Sequence, residues 1–128
     1  YAYAKQNKMS YMSLRNQAGT YVVPTDTAFK AAAAGADWTK SFYQVLTEQP
    51  GKDSWPITGA TFILMHKVQD KPVNAANTLK FFDWAFVNGD KMADDLDYVP
   101  LPASVKDLIR SQWAGNLKDA SGKAIAYK

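Results

Sequence analysis

A chain of 128 residues is long enough for one average domain with a modest core, and its 47% apolar and 21% charged residues are those of a folded protein. The absence of cysteine excludes thiol catalysis, a cysteine-based zinc centre and a disulfide scaffold, and fits an oxidising compartment. The net charge of +3 comes from lysines scattered among acids, without the basic stripe that nucleic-acid binding needs, and no apolar run approaches the ~20 residues of a membrane span.

The chain opens YAYAKQ, with neither an initiator Met nor a charged-then-apolar leader, which reads as a mature form or a piece of something longer. A short helix there is followed by an expected strand from Tyr11 to Leu14, a turn at Asn16–Gly19 and a second strand over 20–23. Thr25 is placed to cap a helix, with Asp26 in its first turn and Gly35 at its end. The segment SFYQVLTEQ has no decisive periodicity. PGKDSWP, at 50–56, is the clearest internal breaker. After it, residues 60–66 are expected to form a strand buried on both faces, because the apolar run is continuous.

Asn74 is expected to cap the next helix, in which Leu79, Phe82 and Phe86 form one stripe, widened by Phe81 and Trp84 and closed by Gly89. A further helical turn or two follows over DKMADDLDY. Pro102 opens the last helix, over 103–114, whose Val105, Leu108, Ile109 and Trp113 share a face and should cover the strand or its neighbours. The tail reads as polar and turn-like. Mixed strand and helix, then strand, helix, helix, gives an α/β or α+β chain.

Candidate chemistry is sparse. His66, the single histidine, has no second histidine with which to share a metal, and reads as a cap on the strand end. Asp94, Asp95 and Asp97 are the densest acids, but lack the glycine and terminal glutamate of a calcium loop. Arg110, with Lys106 one turn earlier, reads as a surface pattern rather than an anion clamp. No glycine-rich phosphate loop and no G-x-S-x-G elbow is present. The aromatics look like packing rather than a sugar platform. No catalytic residue, metal ligand or cofactor is assigned.

Six stretches in order carry a family resemblance: YAYAKQN, GADW, WPITGATFILMHK, LKFFDWAF, DLDYVPLPASV and SGKAIAY. Together they resemble the C-terminal part of the PstS family, the phosphate-binding protein of the bacterial phosphate ABC transporter. The resemblance implies an α/β, two-lobed periplasmic-binding-protein fold of type II, phosphate held between the lobes, an ABC permease as membrane partner and a periplasmic location. It also implies that residues 1–55 end the second lobe and 56–128 return to the first, through a hinge of Trp55, Pro56, Ile57, Thr58 and Gly59. The family's phosphate-gripping motifs, including a Ser-Gly-Thr helix start, do not occur here, so no ligand role falls on Thr58-Gly59-Ala60-Thr61. The competing expectation is a stand-alone structural or interaction domain lacking the ligand half. A hydrolase using His66 or the aspartates is weaker still.

Overall fold

A computed structural model describes residues 1–128. Its three longer helices begin where the sequence supplies a cap or dispenses with an amide. Helix α2, Asp26–Gly35, starts at Thr25, whose hydroxyl accepts from the Ala28 amide at 3.3 Å. Helix α3, Pro72–Asn88, starts two residues before the expected Asn74 cap, because Pro72 occupies the first turn, where no amide hydrogen is required. Asn74 instead lies inside, its carbonyl accepting from the Thr78 hydroxyl. Helix α5, Ala103–Asn116, follows Pro102 as expected. Two short helices, α1 at Ala2–Gln6 and α4 at Asp90–Asp95, complete the set. Gly89 joins α3 to α4, and a Cβ there would sit 2.5 Å from the Ala85 carbonyl oxygen, so only glycine fits.

The β content is small. Strands β1, Leu14–Arg15, and β2, Tyr21–Val22, form an antiparallel hairpin, shorter than the sequence suggests and placed slightly later than Tyr11–Leu14. Strands β3, Val68–Gln69, and β4, Lys118–Asp119, pair in parallel, so all of α3, α4 and α5 lies in the crossover between them. The chain is therefore a mixture of helix and strand.

Residues 60–66 are the main correction. They form no strand, residues 59–66 make no backbone–backbone hydrogen bond, and Ile63 and Leu64 are 58% and 94% exposed. A strand buried on both faces needs neighbours on each side. The two-residue strands of this chain pair with one another, and β4 also with Ala124, and none of them pairs with the apolar run.

Two apolar clusters hold the elements together. In one, Ala75 and Leu79 of α3 meet Leu117, Ile125 and Tyr127, with Met65 and Trp113 against them. In the other, Ala33, Trp38 and Leu46 meet Val105 of α5, with Ala60, Leu108 and Ile109 alongside. Full burial of Leu79 or Val105 is worth ~1.5–3 kcal/mol before entropy is subtracted. The second cluster joins residues on both sides of the Trp55-Pro56 corner. Phe81 and Trp84, expected to widen the α3 stripe, face solvent instead. The tail is less polar than it reads: the Ile125 amide donates to the Leu117 carbonyl, and Ile125 and Tyr127 are buried.

Asp119 sets the turn that brings those two residues home. Its carboxylate accepts from the Ser121 hydroxyl, the Ser121 amide and the Lys123 amide at 2.6, 2.9 and 3.0 Å. The Ser121 hydroxyl first, and then the Lys123 amide, hold its pKa below the ordinary 3.8. A folded-state value below the unfolded one gives stability that is complete above the ordinary carboxylate range and lost as pH falls through the folded value. Protection factors of the Ser121 and Lys123 amides should therefore hold at neutral pH and drop as pH falls below about 4, and Asp119→Ala should abolish them even at neutral pH.

Candidate functional site

The corner at residues 54–59 is the part of the chain where neighbouring elements converge on irregular backbone. The Trp55 amide donates to the Ala28 carbonyl of α2 at 3.0 Å, and its ring meets Phe29 edge-on at 6.1 Å. The Pro56 carbonyl accepts from the Glu48 amide at 2.8 Å, and Thr47 and Ile57 form an isolated antiparallel bridge. The Thr58 hydroxyl donates to the Trp55 carbonyl at 3.0 Å. Trp55, Pro56 and Thr58 are buried, while Ile57 and Gly59 are exposed. A corner held by three segments on one side opens directly into the unpaired run on the other.

Asn16 fixes the loop before this corner. Its side-chain nitrogen lies 3.2, 2.8 and 3.2 Å from the carbonyls of Gly51, Lys52 and Ser54, so two amide hydrogens are shared among three acceptors. Its side-chain oxygen accepts from the Thr20 amide at 3.0 Å, closing the β1–β2 turn. Asn-Gln-Ala-Gly announces a turn in sequence, since asparagine readily closes one through its own side chain. The reach of its nitrogen to a loop far along the chain has no local signal.

Thr58, Gly59, Ala60 and Thr61 line an open cleft of about 510 Å³, together with Phe29 and Tyr98. Lys30, also at its wall, pairs with Asp26 at 2.7 Å, and Lys5 pairs with Asp97, another wall residue, at 2.6 Å. The hydrogen bonds to Asp26 and Asp97 are the leading causes that raise the pKa of Lys30 and Lys5 respectively. Each cation is already matched by its own acid. This leaves no uncompensated positive charge from either lysine to hold an anion, and the acid at the start of α2 opposes one.

The other candidates lie apart from this corner. His66 is exposed and caps no strand; its carbonyl accepts from the Gln69 side chain. Asp95 pairs with Lys91 and Asp97 with Lys5, and nowhere do three metal-ligating side chains gather. Lys106 and Arg110 correct the surface reading. Arg110 donates to Asp83 of α3 at 2.6 Å, is hydrogen-bonded to Asp107 at 3.0 Å and lies over the Phe86 ring. Lys106, whose side chain is only 8% exposed, donates to the Phe86 carbonyl and to Asp90. Periodicity along α5 marks these positions as polar but does not reveal that α3 supplies acceptors opposite them. No helix is long and apolar enough to cross a membrane.

No described protein-family profile matches the chain. It is 50% identical over 120 residues to the phosphate-binding protein PstS of Haemophilus influenzae, covering 92% of this chain and 36% of that protein. Identity to the PstS of Pasteurella multocida is 46% over 127 residues, covering 98% of this chain and 37% of that one. Identity to the PstS of Xylella fastidiosa strain 9a5c is 47% over 119 residues, covering 91% and 33%. The chain spans about a third of the length of the curated relatives it matches.

The geometry at Asn16 makes a directional prediction. Asn16→Ala should destabilise the chain by about 1–3 kcal/mol, since the buried Ser54 carbonyl loses its donor and the part-buried bonds to Gly51 and Lys52 go with it. Asn16→Asp should be worse at neutral pH, because a carboxylate would face three carbonyl oxygens. Urea denaturation of both variants measures the order; an aspartate variant as stable as the parent would contradict it.

Proposed function

We propose, because this chain is a segment of the PstS family of phosphate-binding proteins, that it is the scaffold and hinge portion of a solute receptor that delivers inorganic phosphate to an ABC importer. The observation that carries the reading is the 46–50% identity to PstS proteins across 91–98% of the chain. In this reading it forms the C-terminal part of a two-lobed, type II binding protein in the periplasm. Residues 1–55 end one lobe, 56–128 complete the other, and Trp55, Pro56, Ile57, Thr58 and Gly59 form the joint. No bond of the ligand is made or broken. The phosphate ligands come from upstream residues, and the importer's permease is the membrane partner.

The corner suits a joint for a physical reason. Pro56 restricts the backbone where it is clamped against Glu48, and Gly59 has open space around it where the chain departs. A hinge works by confining its motion to a few residues between well-held flanks. Here Trp55 is fixed to α2 on one side, and Met65, beyond the unpaired residues on the other, packs against the cluster of Leu79 and Tyr127.

The segment is poorly equipped to grip phosphate by itself. Burying an anion requires oriented donors to replace the water around each oxygen. The helix starts do not supply them: α2 has Asp26 in its first turn, α3 follows Asp70 and opens on Pro72, and α5 follows Pro102. At the start of α3, Pro72 offers no amide hydrogen where an anion would seek one. Isothermal titration of the 128-residue chain with inorganic phosphate at physiological salt should therefore give no saturable heat in the micromolar range. Micromolar or tighter affinity would place the ligands within these residues and overturn the scaffold assignment.

A further inference from the structure

Asparagine is chemically labile because the backbone nitrogen that follows it can attack its side chain. Where the next residue is glycine, no Cβ shields that nitrogen and the peptide is free to turn it onto the side-chain carbonyl. The chain has six asparagines, and Asn88, followed by Gly89, is the one with that neighbour.

The fold supplies both a reason for the pair and a brake on it. Gly89 sits between α3 and α4, where a Cβ would meet the Ala85 carbonyl oxygen at 2.5 Å, so the junction requires the residue that makes Asn88 labile. Both reacting groups are also tied to the preceding turn of helix. The Gly89 amide donates to the Ala85 carbonyl at 2.8 Å, with the glycine itself helical at φ −86° and ψ −10°. The Asn88 side-chain nitrogen donates to the Trp84 carbonyl at 3.0 Å. An amide held in this way cannot lose its proton and turn toward the Asn88 Cγ until the last turn of α3 opens. Helix ends fray readily, so the brake slows the reaction without stopping it.

We propose that Asn88 is a spontaneous modification site, deamidating through a succinimide at a rate set by opening of the α3–α4 junction. The Gly89 nitrogen gives up its proton to solvent and bonds to the Asn88 Cγ. The Cγ–Nδ2 bond breaks, and the nitrogen leaves with a proton as ammonia. Water then opens the five-membered ring at either carbonyl, giving aspartate or, where the main chain is rerouted through the side chain, isoaspartate. No oxidant and no enzyme takes part. Either product places a negative charge at the C-terminal end of α3, the end that disfavours one. The change also falls midway between the two acceptors of Lys106, the Phe86 carbonyl and Asp90. Isoaspartate lengthens the backbone there by one carbon, and so disturbs the tie of α5 to α3. The site is independent of phosphate binding and stands or falls separately from the receptor reading.

Tryptic cleavage at Lys80 and Lys91 releases Phe81–Lys91, in which Asn88 is the single asparagine. The purified chain, kept at body temperature and mildly alkaline pH for increasing times, is mapped by mass spectrometry. This peptide should gain the mass of amide-to-acid conversion before any other asparagine-bearing peptide does, and the formal charge of the chain should fall by one from +3. Both aspartate and isoaspartate forms should be found, the second through its methylation by an isoaspartyl methyltransferase. Unfolding in guanidinium chloride, which frees the Gly89 amide, should speed the change by about tenfold or more. Ala85→Gly, which weakens the last turn of α3, should speed it several-fold in the folded chain, and Asn88→Gln should remove the signal. A Phe81–Lys91 peptide that stays unmodified, or converts after another asparagine, overturns the proposal. Aspartate without isoaspartate, or a rate that either guanidinium or Ala85→Gly leaves unchanged, would overturn it equally.

Discussion

The rest of the structure depends on α5 belonging to two cores at once. Val105, Leu108 and Ile109 close the cluster built on α2 and Trp38, while Trp113 and the Leu117 that follows the helix serve the one built on α3 and the tail. A single helix thus contributes side chains to both small apolar groups. Its polar side is fixed as well, by Arg110 to Asp83 and by Lys106 to the Phe86 carbonyl and Asp90. Partly exposed ion pairs of this kind add orientation more dependably than stability, because solvent screens much of their attraction. Here they set the rotation of α5 against α3, and hence which side chains each cluster receives.

Much of the helical framework was legible in the residues. Thr25, Pro102, Gly89 and the apolar stripe with Leu79 mark boundaries and faces through local rules, and local rules are what a sequence states directly. Residues 60–66 show where such rules stop. The run's composition describes the environment it suits, a strand with neighbours, while the neighbours are a property of the remaining chain. Ile125 and Tyr127 were missed for the opposite reason: a polar turn held by Asp119 hides two alternating core residues behind it.

The candidate hinge was legible as a breaker, and its anchoring was not. Trp55-Pro56 stands out in any reading of the chain. That Asn16 holds the preceding loop through three carbonyls is a tertiary fact, since an asparagine in a turn satisfies its local role without declaring a second one. The lysines near the cleft teach a related lesson. A cation beside small polar residues suggests anion binding until its partner is known, and Asp26 and Asp97 are those partners.

The parallel pairing of β3 with β4 bears on the order in which the chain can fold. Val68 meets Lys118 only after three helices have been made, and three of the five residues in the cluster beneath α3 lie between Leu117 and Tyr127. Contacts this distant in sequence bring no reward until the intervening loop has been closed, which slows folding. Until Leu117, Ile125 and Tyr127 return to it, α3 has its Leu79 face uncovered, so this cluster is a late event in folding rather than a nucleus for it.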